Sequence, residues 1–120
     1  MLKKILIVDD DISVCNSLAM LLREEGYYVY EETESLKAAV LIEKYRYDIC
    51  FFDYKMKGLN GIDLLKMTKK VNPQCPVFIV SGMMNIDKLC SKEMKSGLVA
   101  GIINKPFDVE LLLQRIADVV

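Results

Sequence analysis

Five side chains in this sequence have types and positions that could do chemistry: Asp9, Asp10, Asp53, Ser81 and Lys105. Each closes or follows a short apolar run: Ile5-Leu6-Ile7-Val8, Ile49-Cys50-Phe51-Phe52, Val77-Phe78-Ile79-Val80 and Val99–Ile103 in turn. If the runs are parallel strands of one sheet, the five gather along its C-terminal edge, where open α/β sheets bind ligands. Three carboxylates packed there repel one another at a cost of several kcal/mol. A hard divalent cation relieves that repulsion, and Mg²⁺ commonly takes one or two carboxylates while keeping waters and a phosphoryl oxygen. Lys105 adds a point charge for the same phosphoryl group and Ser81 a hydroxyl donor. A carboxylate so placed is equipped as a nucleophile for phosphoryl transfer, which needs mainly positioning and charge neutralisation.

The elements that must position these groups alternate along the chain. The organising stretch is Tyr47-Asp48-Ile49-Cys50-Phe51-Phe52-Asp53, an aromatic-rich apolar run that reads as a strand buried on both faces. Lys4–Val8 is an earlier β-branched run. Asp11 reads as the cap of a helix carrying Ile12, Val14, Cys15, Leu18, Ala19, Leu21 and Leu22, stopped at Gly26. Tyr27 to Glu31 is a short strand, and Ser35 is expected to cap a helix with Leu36, Ala39, Val40 and Ile42 as its apolar face. Lys57-Gly58-Leu59-Asn60-Gly61 is a loop. Ile62, Leu64, Leu65, Met67 and Val71 mark the next helix, and Val77–Val80 the fourth strand. One weakly patterned helix is expected over about 86–95 with Gly97 as its C-cap, then a strand over 99–103. Asp108 caps a last helix with Leu111, Leu112, Ile116 and Val119 inward. Five nearly all-apolar strands alternating with five helices predict an α/β fold with both sheet faces covered. The flavodoxin-like doubly wound sheet, order 2-1-3-4-5, is the commonest threading at this size.

Composition narrows the rest. The 120 residues are enough for one domain, expected to span 1–120. A net charge of −1 with acids and bases interspersed leaves no footprint for nucleic acid or an anionic membrane. Met1-Leu2-Lys3-Lys4 leads only into a short apolar run ending at Asp9, neither a signal peptide nor a membrane span, so a cytoplasmic location is expected. Cys15, Cys50, Cys75 and Cys90 are scattered and the chain has no histidine, which excludes zinc-site spacing and predicts buried free thiols in a reducing compartment. The closing Val119-Val120 looks more like a boundary than a finished surface.

The set Val8-Asp9-Asp10, Asp53-x-x-Met56, Ser81-Gly82 and Lys105-Pro106-Phe107 resembles the receiver domain of two-component response regulators (chemotaxis-regulator-like) over essentially the whole chain. Singly, Ser81 could merely open a turn and Lys105-Pro106 merely end a strand. Jointly, unrelated turns would have to place matching chemistry on one edge by accident. The resemblance implies that Asp53 accepts a phosphoryl group from a sensor histidine kinase or phosphotransfer protein. It implies that Asp9, Asp10, Asp53 and the backbone carbonyl of Lys55 hold Mg²⁺, that Lys105 contacts the phosphoryl group, and that Ser81 moves to hydrogen-bond it. It implies a cis peptide bond before Pro106. No turnover is implied beyond self-phosphorylation from phosphodonors and autodephosphorylation. A C-terminal output domain, or a homodimer through the 86–95 helix, the last strand and the last helix, is compatible with it.

Three positions depart from the family pattern. Ile102 stands three residues before Lys105, where the family carries a switch aromatic. Lys57 replaces the proline that usually follows Asp-x-x-Met. Lys55, two after Asp53, is charged where the family tunes hydrolysis of the acyl phosphate. An apolar run ending in Asp also opens haloacid-dehalogenase-like phosphohydrolases, but their acid/base two residues on is here Lys55. A receiver-like scaffold not controlled by phosphorylation is the other alternative.

Overall fold

The computed structural model describes residues 3–119; Met1, Leu2 and Val120, part of the two terminal readings above, lie outside them. The chain runs β1 (Lys4–Val8), α1 (Ile12–Glu24), β2 (Tyr28–Glu32), α2 (Ser35–Lys44), β3 (Ile49–Asp53) and α3 (Gly61–Val71). It continues through β4 (Val77–Ser81), α4 (Ile86–Leu89), α5 (Ser91–Lys95), β5 (Gly101–Asn104) and α6 (Val109–Ala117). The five strands are parallel in the order β2-β1-β3-β4-β5, as the alternation predicts.

Every residue of β3 and β4 is buried, which is why both read as continuous apolar runs. Their side chains divide by strict alternation between two cores. On one face Leu6, Val8, Cys50, Phe52, Val77 and Ile79 pack with α2, α3 and α4 through Ala38, Ile42, Leu64, Leu65 and Ile86. On the other, Ile5, Ile7, Ile49, Phe51, Phe78 and Val80 meet α1 and α6 through Cys15, Leu18, Leu22, Leu112 and Ile116. Phe51 and Phe78 stack at 5.1 Å between centroids. Register within these layers aligns the strand ends: Val8 lies beside Phe52, Asp53 beside Val80, and Ser81 beside Asn104.

Helix ends follow the expected capping chemistry at Asp11, Asp108, Gly26 and Gly97. Asp11 accepts from the Val14 N–H at 3.2 Å and Asp108 from the Leu111 N–H at 3.1 Å. Gly26 and Gly97 end their helices with φ of 95° and 78°, where a side chain would be strained. Asn60 and Asp63 form a reciprocal capping box at the start of α3.

The structure corrects several expectations. Among the described residues there are six helices, because the stretch over 86–95 breaks at Cys90 (φ −105°, ψ 12°) into two short pieces. Burial there falls on Ile86, Cys90 and Glu93, too few apolar positions for one continuous stripe. Ser35 does not cap α2: Glu34 holds that position, and the Ser35 hydroxyl donates to the Lys57 carbonyl at 2.6 Å and accepts from the Leu59 N–H at 2.9 Å. The inward face of α2 is Ser35, Ala38 and Ile42, while Leu36 and Val40 are exposed. Small residues on that face bring the helix close to the sheet. Ile12 and Leu111 also face outward. β2, β3 and β5 start one or two residues later than expected, although Tyr47 is buried beside β3.

The start of α3 presses directly on the strand that carries Asp53. A Cβ at Gly61 would stand 2.7 Å from the Asp53 carbonyl oxygen, a backbone atom that cannot swing aside. Gly61→Ala is therefore expected to destabilise the fold by about 1–3 kcal/mol in urea unfolding despite alanine's better helix propensity. Gly82→Ala, whose nearest contact would be Lys105 Cβ at 3.8 Å, should stay within about 0.5 kcal/mol of wild type. Equal stability of the two variants would contradict the assignment.

Candidate functional site

Parallel pairing of β1 with β3 brings the turn after Val8 next to Asp53. Carboxylate oxygens of Asp9, Asp10 and Asp53 all lie within 4.8 Å of one another. Asp9 is 2 % exposed and Asp53 7 %, whereas Asp10 faces solvent. Asp9 Oδ1 accepts from the Asp11 N–H at 2.9 Å, which fixes the turn into α1.

Lys105 reaches over the acids from the end of β5, after which the Lys105–Pro106 bond is cis, as the resemblance implied. Its Nζ lies 2.8 Å from Asp9 Oδ2 and 3.5 Å from Asp53 Oδ1. The ammonium is the partner of Asp9 Oδ2, a buried oxygen that no other donor reaches among the described residues. Burial works against the Lys105 charge, but contact with Asp9 and the charges of both acids outweigh it and raise its pKa. For Asp53, burial and then the Asp9 charge push the carboxyl up to about 6, with Lys105 pulling the other way and Asp10 adding a little.

Of the five residues singled out in the sequence, the structure brings four into one cluster. Ser81, 2 % exposed, ends β4 on the neighbouring strand, and its hydroxyl accepts from the Met83 N–H at 2.9 Å. Among the described residues no hydrogen bond joins it to the carboxylates. Lys55 lies in the turn directly after β3, exposed. Two supporting residues escaped the sequence reading. Ser35 holds both sides of the 57–59 loop from 22 residues away, and Gly61 lets α3 seat against Asp53. Only the glycine carried a signal, being next to a capping asparagine.

The donor set fits a hard cation: three carboxylates, two of them buried, with one ammonium against them. A cleft of about 810 Å³ runs along β2 and is lined by Lys4, Arg23, Tyr30, Tyr45, Arg46 and Tyr47. None of the acids lines it.

Comparison with known proteins gives the family and the fold. A family model described as the response regulator receiver domain matches residues 5–117. Sporulation initiation phosphotransferase F of Bacillus subtilis is 30% identical over 108 residues, covering 90% of this chain and 86% of that protein. Transcriptional regulatory protein ZraR of Klebsiella oxytoca is 35% identical over 114 residues; the match covers 95% of this chain but only 25% of ZraR. Among solved structures, a CheY-like response regulator receiver domain protein from Methanospirillum hungatei JF-1 superposes with a TM-score of 0.88 at 29% identity. That match covers 98% of this chain and 93% of the other.

The raised carboxyl of Asp53 makes the metal-free fold sensitive to pH. Its folded pKa of about 6 exceeds the ordinary carboxyl value of 3.8, so the folded state holds the proton more tightly. The resulting stability is fully present below about 3.8 and is lost as pH rises through about 6. Asp53→Asn removes that loss. It should exceed wild type by about 1–2 kcal/mol at pH 7 without divalent cation, a figure discounted for water reaching the site, and by almost nothing at pH 4. Denaturant unfolding of both proteins across pH 4–7 checks this; a pH-independent difference would refute it.

Proposed function

The chain belongs to the response regulator receiver domains of two-component signal transduction, and from that premise we propose that Asp53 is its phosphoacceptor. The observation that carries the reading is the buried Asp53 carboxylate at the tip of β3, with Lys105 at 3.5 Å and two further acids within 4.8 Å. An oxygen of Asp53 attacks the phosphorus of a phosphohistidine, the N–P bond breaks, and an acyl phosphate forms on Asp53. Lys105 moves its charge from the carboxylate towards the phosphoryl oxygens. The Ser81 hydroxyl donates to one of them, exchanging its contact with the Met83 N–H. Asp9, Asp10, Asp53 and the Lys55 carbonyl would hold Mg²⁺, which supplies charge neutralisation at the phosphoryl oxygens.

The place of the acids at the C-terminal edge of the sheet, with Asp10 facing solvent, suits a group delivered by another protein, a sensor histidine kinase or a phosphotransfer protein. Self-phosphorylation and autodephosphorylation are its only reactions in this reading, since two after Asp53 stands Lys55 and no second acid/base. Among the described residues no helix is long and apolar enough to cross a membrane, and the reading places the domain in the cytoplasm with its kinase. Its output passes to a following domain, a separate target or a second copy.

The output surface differs from the family pattern. Ile102 is 7 % exposed and packs in the core shared with Ile86, Cys90 and Val99. Its stiff branched side chain has no polar handle and acts as a static wall. The movable part is the segment 82–94, with its broken helix and the exposed Met84, Leu89 and Met94. Activation reorders this segment against a partner.

Intact-mass measurement with acetyl phosphate tests the site. Wild type should gain one phosphoryl group with Mg²⁺ and none with EDTA, Asp53→Ala should gain none, and Asp10→Ala should react about ten-fold more slowly or worse. Equal gain in Asp53→Ala would sink the assignment. Hydrogen exchange with and without beryllofluoride tests the output. Protection should change over 82–94, and change confined to Ile102 and β5 would rule the mechanism out.

A further inference from the structure

The far end of β3 holds a second reactive arrangement. Cys50, three residues before Asp53, and Cys75, in the turn before β4, stand with their Sγ atoms 3.8 Å apart, though 25 residues separate them in sequence. Both thiols are free and buried, and both line one cavity of about 10 Å³, space for about one water-sized molecule. Tyr45 and Arg46, both exposed, form part of the cavity wall and bring it near the surface. Lys69 from α3 donates to the Cys75 carbonyl at 2.6 Å, which holds an ammonium beside the pair. Cys15 and Cys90 have no sulfur partner of this kind among the described residues; Cys15 donates to the Ile7 carbonyl at 3.9 Å.

We propose that Cys50 and Cys75 are a peroxide-sensitive pair that closes to a disulfide, tying the strand that carries Asp53 to the turn between α3 and β4. The sulfurs are already in van der Waals contact, and closing to about 2.05 Å needs side-chain adjustment more than backbone rearrangement. Position assigns the order of events. Cys75 lies in a turn with the Lys69 ammonium held at its carbonyl, whereas Cys50 is fully buried within β3. Contact with Cys50 and the Lys69 charge lower the Cys75 thiol against its burial, and burial pushes the Cys50 thiol up, in the same direction. Cys75 is therefore the sulfur that attacks hydrogen peroxide: it gives up its proton, an S–O bond forms, the O–O bond breaks, and the departing hydroxide takes that proton to leave as water. The Cys50 sulfur then attacks the sulfenic sulfur of Cys75, losing its proton as the hydroxyl group leaves as a second water. Two thiols are oxidised by two electrons and one peroxide becomes two waters. The link encloses Asp53, its loop and the whole of α3.

Wild-type full chain treated with hydrogen peroxide at a small molar excess, then alkylated under denaturing non-reducing conditions and digested, should yield a linked Cys50–Cys75 peptide. Its intact mass should fall by two hydrogens, with Cys15 and Cys90 still alkylated, and dithiothreitol should restore four thiols. In Cys50→Ser, dimedone should label Cys75. Four alkylatable thiols after peroxide, Cys75 driven to sulfinic acid without a link, or a link through Cys15 or Cys90 would each overturn the proposal. The wild-type mapping needs no variant to fold. Dimedone on Cys50 in Cys75→Ser, with none on Cys75 in Cys50→Ser, would overturn the assigned order.

Discussion

The structure depends on holding like charges together against their repulsion. Three carboxylates within 4.8 Å, two of them almost out of water, do not assemble unless the backbone leaves them no alternative. Here the compulsion comes from the parallel register of β1 with β3 and from two apolar cores that lock both strands. Lys105 supplies part of the missing counter-charge at 2.8 Å from Asp9 and 3.5 Å from Asp53, one positive charge against three acids. The cluster therefore stays short of positive charge, which is the property a cation and a phosphoryl group would answer. Stability and function pull in opposite directions at these residues.

Much of this was legible because the strands are buried on both faces. β3 and β4 carry no solvent-facing alternation to confuse them, and a carboxylate after such a run, as at Asp53, is conspicuous. Amphipathic helices over one sheet face were legible in position but less so in orientation. In α2 the expected face is half right: Ile42 is buried and Ala39 packs on the core, while Leu36 and Val40 are exposed and Ser35 and Ala38 are buried instead. Serine and alanine look neutral in sequence, so hydrophobicity alone does not rank them above leucine and valine. Ser35 was misread for a related reason. A hydroxyl before an apolar helix satisfies the local capping rule, and nothing local reveals that it bridges Lys57 and Leu59.

Those bridges give the site a second layer of order. The loop after Asp53 is held by Ser35 from α2 and by the Asn60–Asp63 box at the start of α3. The Gly61 N–H donates to the Tyr54 carbonyl at 3.0 Å, and the Tyr54 N–H to the Val80 carbonyl at 2.9 Å. This side of the site is consequently built to stay still. A fixed loop keeps the carbonyl at Lys55 and the side chain of Asp53 in a constant relation, which positioning catalysis of phosphoryl transfer requires.

The opposite side is built differently, and the contrast indicates where a signal can leave. The Ser81 hydroxyl accepts from the Met83 N–H in the next turn, and that turn leads into two helical pieces of four and five residues joined at Cys90. Helices this short gain little from their own hydrogen bonds and are held by burial of Ile86, Cys90 and Glu93. Ile102 behind them offers a smooth apolar surface with no polar group to fix one arrangement. If the proposed exchange at Ser81 takes place, the Met83 N–H at the head of this segment loses its partner, and Ile102 offers the segment no polar group in return.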